Sequence, residues 1–300
     1  MIIKRKKNLN ETHLIIGGDG LIGKSIYNQL KKENQQVYYT TRRYTKLRTN
    51  SIYLDFNEGI NINFDPTRIY ICVGIADVQA CEKYPKKTWE VNVESTLNLI
   101  EKFHKMGSHI NFLSSDMVFG EGQIFPKIDS KKYPSTEYGR QKSRVEEELL
   151  NYKTNLTIFR MSKVISIYNN LFSRWFYNLN NKKKIMPFSD YYLCPVSLKY
   201  VTQVICDNNK SGVIHLSGNK RISYADFAIK LADKMNVSKN YIKPITVFKN
   251  STSKRSNKNV LDMDDTKKIL GIKPQSLSSV INDLFTEFKN KRSDQYLYEN

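Results

Sequence analysis

The first half of the chain alternates short apolar runs with longer stretches in which apolar residues recur at helical spacing. The apolar runs, which are rich in Ile, Val and Tyr, predict β-strands at 13–16, 36–40, 51–54, 68–73, 109–113 and 156–160. The helical spacing predicts helices at 21–32, 87–105 and 138–153. Strands that alternate with helices are typical of βαβ units, so this half predicts a doubly wound parallel sheet. Ligands of such a sheet bind at the carboxyl ends of its strands.

The second half has a less regular pattern. It predicts helices at 173–180, 199–207, 224–235 and 279–288 and a strand at 213–217. Ser223, with Asp226 three residues later, predicts a capping-box-like start for the helix at 224–235. The polar stretch 249–259 predicts a loop, and the residues from 289 predict a loose tail. We expect a large domain over 1–165 and a smaller lobe over 166–300, with part of 185–217 returning to the large domain.

Composition narrows the class of protein. No apolar run reaches the roughly 18 residues of a membrane helix. The basic residues at 4–7 are not followed by the apolar segment of a secretion signal. The four cysteines form no CxxC pair, and the four histidines are scattered, so no metal site is expected. We therefore expect a reduced, cytoplasmic protein without a membrane partner.

The formal net charge of +19 has two interpretations. Clustered Lys and Arg neutralise the phosphates of nucleic acids. However, the basic clusters at 4–7 and 182–184 carry no interleaved aromatic residues, and the sequence contains no nucleic-acid-binding motif. We expect a generally basic surface that attracts anionic substrates, and no specific nucleic-acid partner.

A glycine-rich turn follows the first predicted strand. The segment 17–23 matches GxxGxxG if it is counted from Gly17, and GxGxxG if it is counted from Gly18. Glycine allows the sharp turn and lets backbone N–H groups and a helix N-terminus approach a pyrophosphate. Because the turn lies between a strand and a helix, it predicts a dinucleotide site. Its predicted contact residues are Gly17, Gly20, Leu21, Ile22 and Gly23.

The end of the second predicted strand indicates which dinucleotide is bound. An acid there would bind the ribose 2′-hydroxyl of NAD, but the chain has Arg42 and Arg43. Two guanidinium groups suit a 2′-phosphate, although a solvated basic turn is the alternative. We expect NADP(H) to be preferred, with NAD(H) as a second option. Asp55, after the third strand, is a candidate acceptor for the adenine amino group or a turn former.

Three further residues predict carbonyl chemistry. Tyr138 and Lys142 are four residues apart and would lie on one face of a helix. A phenol with a pKa of ~10 is a poor acid or base at neutral pH unless a positive neighbour stabilises its phenolate. Lys142 would supply that charge and could hold the nicotinamide ribose. Ser115, at the end of a strand, would hydrogen-bond the carbonyl oxygen.

The chain resembles an extended short-chain dehydrogenase/reductase, and most of all the dTDP-4-dehydrorhamnose reductase branch, over residues 14–284. The motifs that carry this resemblance are Val-Asn-Val at 91–93, Ser-Ser-Asp-Met-Val-Phe-Gly at 114–120, Tyr-Gly-Arg-Gln-Lys at 138–142 and His-Leu-Ser-Gly at 215–218. The implied fold is α/β, a doubly wound parallel sheet (Rossmann) with a smaller C-terminal α/β substrate-binding lobe. The implied NAD(P)-binding domain is the one expected over 1–165.

The resemblance also implies roles for individual residues. It implies that Asn92 supports Lys142 through a water molecule. The segment 72–76 replaces the family's Asn-Ala-Ala and places Val73 and Gly74 in the cofactor site. The residues assigned to substrate binding are Asp116, Met117 and Arg160.

Three functions are compatible with these motifs. The first is NADPH-dependent reduction of a 4-keto group on a nucleotide-linked deoxysugar. The second is a nucleotide-sugar epimerase, which uses its cofactor without net redox. The third is a catalytically silent NAD(P)-binding regulatory subunit, which the intact Ser115, Tyr138 and Lys142 disfavour. Met117 stands where the family's 4,6-dehydratases have Glu, so dehydration is not expected. The expected partner is a nucleotide sugar, and a homodimer is one option for assembly.

Overall fold

The computed structural model describes residues 11–59, 62–120, 123–152, 154–246 and 260–298. The basic cluster at 4–7 and the stretch 249–259, which we predicted to be a loop, lie outside these residues. The described part contains one seven-stranded sheet and two sheets of two strands each.

The large sheet is parallel throughout, as the alternating pattern predicted. Its strands are β1 (Thr12–Ile16), β2 (Gln36–Thr41), β3 (Ser51–Tyr53), β4 (Arg68–Ile71), β5 (His109–Ser115), β6 (Leu156–Met161) and β10 (Gly212–Leu216). Their order across the sheet is β10-β6-β5-β4-β1-β2-β3. Every residue of β4 and β6 is buried, because helices cover both faces of the sheet. The Rossmann α/β fold is thereby confirmed.

Apolar side chains pack on both faces of this sheet. Leu14 and Ile16 belong to one buried cluster, whereas Ile15, between them, belongs to another. This alternation follows from the period of two along a strand. α1 (Leu21–Lys32) contributes Ile26 to the cluster of Ile15, and its bounds are those the sequence predicted.

The helix predicted at 87–105 is present, but it begins two residues earlier and has a π-helical middle: α3 (Pro85–Trp89), the π-helical segment Glu90–Ser95 and α4 (Thr96–Lys105) follow one another directly. A further short helix before it, α2 (Val78–Lys83), was not predicted. Pro85 separates α2 from α3, because it cannot donate the N–H that would continue α2. Tyr84, which precedes it, has a non-helical φ of −129°. The next helix, α5 (Glu137–Leu149), ends earlier than the predicted 138–153.

The second half contains longer helices and very short strands. The helices are α6 (Asn170–Asn180), α7 (Leu198–Asp207), α8 (Tyr224–Met235), α9 (Asp264–Leu270) and α10 (Leu277–Tyr298). The strands are β7 (Lys163–Ile165), β8 (Tyr192–Leu193), β9 (Pro195–Ser197) and β11 (Ile222–Ser223). The sequence analysis missed these strands, because two or three residues are too few to show a period. Among the described residues, no helix has the length and apolar character needed to cross a membrane.

Two expectations about helix ends have different outcomes. Ser223 caps α8 as predicted, with its Oγ accepting a hydrogen bond from the N–H of Asp226 at 3.0 Å. The loose tail predicted from residue 289 is wrong, since α10 continues to Tyr298.

Part of the second half packs with the large sheet. β10 pairs with β6 at the edge of the sheet. α7 packs on α1, where Thr202 Oγ1 donates to Ser25 Oγ at 2.8 Å. A separate apolar cluster lies among α6, α8 and α10 and includes Phe172, Phe227 and Leu284. The domain boundary near residue 165 stays a prediction.

Candidate active site

The glycine turn between β1 and α1 is fixed by backbone contacts. The N–H of Gly17 donates to Thr40 Oγ1 at 2.9 Å, and the N–H of Gly20 donates to the carbonyl of Gly17 at 3.1 Å. Gly17 has a φ of +87°, and a Cβ there would stand 2.9 Å from the backbone nitrogen of Val73. A Cβ on Gly23 would collide with the carbonyl oxygen of Gly17. Backbone contacts therefore require glycine at the first and last positions of the GxxGxxG spacing, Gly17 and Gly23.

Two substitutions separate the effect of the positive φ at Gly17 from the effect of its close contact with Val73. Gly59 has the same φ of +87° but nothing within 4 Å of the position that a Cβ would take. We expect Gly59→Ala to cost about 1–2 kcal/mol of unfolding free energy, the strain of a left-handed alanine. Gly17→Ala should cost more, because its Cβ also meets the backbone of Val73. Urea unfolding of both variants measures the difference, and equal losses would contradict this account of the turn.

A cleft of about 560 Å³ opens in front of the glycine turn, at the carboxyl ends of the strands. Of the predicted cofactor residues, it is lined by Gly17, Gly20, Arg42, Arg43, Asp55, Val73 and Gly74. Eleven other residues line it that were not predicted, which are Asp19, Thr40, Thr41, Leu54, Phe56, Asn57, Cys72, Ile75, Glu90, Val91 and Ser95. Seven of them end β2 or lie in the few residues after β3 or β4, so the rule that ligands bind at strand ends could have found them.

The other predicted cofactor residues lie behind this cleft or beside it. Leu21 and Ile22 open α1, and Ile22 packs against the apolar cluster of the sheet. Gly23 lies directly behind the carbonyl of Gly17. None of these three is among the described residues that line the cleft. These three residues support the turn on the side away from the cleft.

The side chain of Asp55 forms a turn. Its Oδ1 accepts hydrogen bonds from the N–H of Asn57 at 2.9 Å and from Asn57 Nδ2 at 3.0 Å. Asp55 nevertheless lines the cleft. The two roles that we proposed for it are therefore compatible, because a carboxylate has further acceptor positions.

Ser115 ends β5 and is held by the turn that follows it. Its Oγ accepts from the N–H of Met117 at 3.2 Å and donates to Asp116 Oδ1 at 3.0 Å. Asp116 and Met117 are buried. Tyr138, at the start of α5, is close enough for the Asp116 carboxylate to act on it. Burial and this negative charge raise the pKa of the Tyr138 phenol. The structure thus brings Ser115, Asp116 and Tyr138 together.

Lys142 is directed at a backbone carbonyl. Its Nζ donates to the carbonyl oxygen of Leu113 at 2.9 Å and stands 6.0 Å from the centre of the Tyr138 ring. Burial lowers the pKa of Lys142 to about 8, and the negative charge of Glu146 opposes this shift. We expected Lys142 to lower the pKa of Tyr138. Burial and the Asp116 carboxylate raise it here, and the effect of Lys142 on the Tyr138 pKa stays a prediction.

Asn92 connects the cleft to α5. It lies in the π-helical segment Glu90–Ser95, and its Oδ1 accepts from the N–H of Ile75 at 2.7 Å. Its Nδ2 donates to the carbonyl of Ile75 at 3.0 Å and to Gln141 Oε1 at 2.7 Å. Asn92 therefore holds the loop after β4 against the helix that carries Tyr138 and Lys142. Its support of Lys142 through a water stays a prediction.

Arg160 is placed differently from what the resemblance implied. Its guanidinium group is 2% exposed and pairs with the fully buried Glu146 through Nε and Nη2, at 2.8 to 3.1 Å. Nη1 donates to the carbonyl of Ile128 at 2.7 Å. The assignment of Arg160 to substrate binding is therefore corrected. Its donors are used inside the protein, because a buried charge requires a partner.

The Arg160–Glu146 pair belongs to a larger buried network. Ser114, next to the predicted catalytic serine, donates to Glu146 Oε1 at 2.5 Å. Lys132 Nζ stands 3.5 Å from Glu146 Oε2. His215 accepts from Arg160 at 3.4 Å, and burial together with Arg160 lowers the pKa of His215 to about 4. The network therefore joins β5, β6, β10 and α5 beneath the candidate site. No group of three His, Cys, Asp or Glu side chains in the described part of the chain is arranged to hold a metal ion.

Comparison with known proteins identifies a matching family model and several relatives. The family model of the RmlD substrate binding domain matches residues 11–290. Methionine adenosyltransferase 2 subunit beta from Bos taurus is 22% identical over 262 residues, which cover 82% of this chain and 78% of that protein. dTDP-4-dehydrorhamnose reductase from Aggregatibacter actinomycetemcomitans is 24% identical over 289 residues, which cover 90% of this chain and 97% of that protein.

A solved structure has the same fold. It is the crystal structure of dTDP-4-dehydrorhamnose reductase from Bacillus anthracis in complex with NADP. It aligns with a TM-score of 0.79 at 18% identity, over 94% of this chain and 100% of that one.

Proposed function

The chain belongs to the RmlD substrate binding domain family, and on this premise we propose that it is an NADPH-dependent reductase of a 4-keto group on a nucleotide-linked deoxysugar. The observation that carries the proposal is the grouping of Ser115, Asp116, Tyr138 and Lys142 at the carboxyl edge of the sheet, beside the cleft. The names of the Aggregatibacter and Bacillus anthracis relatives support the reaction class. A cytoplasmic location and a homodimer stay predictions.

The residues of the cleft fit a nicotinamide dinucleotide. Gly17 leaves no side chain between the turn and the chain after β4. The N-terminus of α1 follows the turn and favours a negatively charged pyrophosphate. Gly74, with a φ of +149°, lies between the cleft and the catalytic group, since a Cβ there would stand 3.9 Å from Lys142 Nζ. These contacts support a cofactor that extends from Arg42 and Arg43 to Lys142.

Tyr138 is the proposed proton donor. The phenol is protonated at neutral pH and can give its proton to the oxygen of a carbonyl that is being reduced, and its raised pKa makes it a weaker acid than a free phenol. Bound NADPH would supply the hydride for the carbonyl carbon. Ser115 would hydrogen-bond the same oxygen, and its bonds with Asp116 and Met117 fix where its Oγ stands. Asp116 and Met117 are the proposed substrate contacts at this point.

A second candidate is a catalytically silent NAD(P)-binding subunit. The name of the Bos taurus relative, a subunit of a methionine adenosyltransferase, favours it. An epimerase is a third candidate and would retain its cofactor through purification.

One set of measurements separates the three candidates. The purified protein is first inspected for a retained cofactor by its absorbance, and then mixed with NADPH and a panel of nucleotide-linked 4-keto-6-deoxysugars. A reductase consumes NADPH with at least one sugar. An epimerase arrives with cofactor bound and consumes none. A silent subunit binds NADPH but leaves every sugar unchanged, and this result would overturn the proposal.

The basic turn after β2 leads to a prediction about the cofactor. Arg42 and Arg43 are exposed at the cleft, where guanidinium groups suit the 2′-phosphate of NADPH. We expect Arg42→Ala with Arg43→Ala to weaken NADPH binding by about tenfold or more and to change NADH binding little. Fluorescence titration gives the two dissociation constants. Unchanged NADPH affinity would contradict a role for these arginines.

A further inference from the structure

β2 has no acidic residue at its end, but an acidic residue of the glycine turn lies beside that end. The last residue of β2 is Thr41, and its Oγ1 donates a hydrogen bond to Asp19 Oδ2 at 2.5 Å. Asp19 lies in the turn between β1 and α1, and both residues line the cleft. In dinucleotide-binding sheets, a carboxylate at the end of the second strand binds the ribose 2′-hydroxyl. A carboxylate is therefore present beside this position, although it comes from another element.

The same point of the cleft also carries the basic residues. The N–H of Arg43 donates to Thr41 Oγ1 at 3.1 Å, so one hydroxyl joins the basic turn to Asp19. Arg42 lines the cleft as well. The two kinds of charge have opposite preferences for a ribose 2′-substituent. A carboxylate accepts a hydrogen bond from a 2′-hydroxyl and repels a 2′-phosphate, whereas a guanidinium group binds the phosphate.

We propose that Asp19 is a specificity-determining residue, which binds the ribose 2′-hydroxyl of NAD(H) and holds back the preference for NADP(H) that Arg42 and Arg43 create. Thr41 fixes the carboxylate for this purpose, because its hydroxyl donates to Oδ2, and a carboxylate has about four acceptor positions in all. The inference rests on the proposed function only in so far as that function requires a nicotinamide dinucleotide in this cleft.

The test is Asp19→Asn, with NADH and NADPH as the two probes. Asparagine keeps an amide oxygen that can accept from Thr41, so the turn is preserved while the charge is removed. We expect NADPH to bind more tightly and NADH more weakly. The ratio of the NADH to the NADPH dissociation constant should rise by at least about tenfold, the lower end of the range for hydrogen bonds to charged groups.

Glu58→Gln is the matched control. Glu58 is exposed, accepts from the Tyr53 hydroxyl at 3.1 Å and does not belong to the described lining of the cleft. Its substitution removes one negative charge near the same edge of the sheet. The ratio of dissociation constants should stay within about twofold of wild type, because an exposed charge at a distance is screened by salt. An equal rise in both variants would show a general charge effect and overturn the inference.

Direct titration also separates this inference from the proposed function. If the wild-type protein binds neither NADH nor NADPH, both fail. If it binds them and the Asp19→Asn ratio equals that of wild type, the role of Asp19 is refuted while the proposed cofactor site stands. Turnover of a sugar is not needed for either conclusion.

Discussion

Tyr138→Phe should reduce kcat by about 10²- to 10⁴-fold, the contribution of a positioned general acid. The substitution removes the phenolic hydroxyl and keeps the ring at the start of α5. That hydroxyl is the proposed proton donor to the carbonyl oxygen, and burial together with the Asp116 carboxylate keeps it protonated at neutral pH. The dissociation constant for NADPH should change little. Steady-state kinetics with a sugar of the panel that the wild-type protein reduces gives kcat, and titration with NADPH gives the dissociation constant.

Tyr133→Phe is the control for this change. Tyr133 is 55% exposed and lies five residues before Tyr138. Lys131 Nζ contacts the Tyr133 ring at 4.8 Å, a contact that phenylalanine would keep. Its kcat should equal that of wild type. A Tyr138→Phe enzyme that retains most of its kcat would refute the assignment of the proton donor.

Arg160→Met should lower the free energy of unfolding by about 3–5 kcal/mol, as expected when one partner of a buried ion pair is removed. Glu146 is fully buried and would lose three of its hydrogen-bond contacts. The carbonyl of Ile128 would lose its donor as well. Denaturant unfolding measures the loss. The corrected placement of Arg160 thus predicts a change in stability, where a substrate contact would predict a change in KM.

Arg140→Met serves as the matched control. Arg140 pairs with Glu137 across one turn of α5, and its side chain is 45% exposed. An exposed pair of this kind contributes less than about 1 kcal/mol. If Arg160→Met instead raised KM and unfolded at the denaturant concentration of wild type, the resemblance-based role would be restored.

The parts of the fold that local pattern determines were predictable. Strands β1 to β6 were found because parallel strands buried on both faces appear as continuous apolar runs. The predicted bounds 21–32 and 224–235 are those of α1 and α8 in the structure. Both helices have a clear apolar face, and a glycine turn or a capping serine precedes each of them. α2 was not predicted, because its six residues are too few to show an apolar period.

The site residues that belong to motifs of fixed spacing were predictable from the sequence. The glycine turn and the pair of Tyr138 and Lys142 have fixed spacings, and Ser115 ends a strand. The direction of the Tyr138 pKa shift was not predictable. It depends on burial and on Asp116, which the fold brings to α5.

Residues that meet across the fold were the hardest to assign. Arg160 and Glu146 are 14 residues apart, on a strand and a helix, and no pattern in the chain pairs them. Asp19 occupies a non-glycine position of the glycine motif, and no sequence pattern pairs it with Thr41, because the two residues are 22 positions apart. Such contacts depend on the order of strands in the sheet, which sequence periodicity does not specify.

The central claim is that this chain transfers a hydride from a nicotinamide to a sugar carbon, and isotope transfer measures it directly. The protein is incubated with NADPH that carries deuterium at the transferable C4 position and with the panel of nucleotide-linked 4-keto-6-deoxysugars. The account predicts that one sugar gains a single deuterium at the former keto carbon, and that Tyr138→Phe slows this gain. NADPH that is bound but delivers no deuterium to any sugar would contradict the claim.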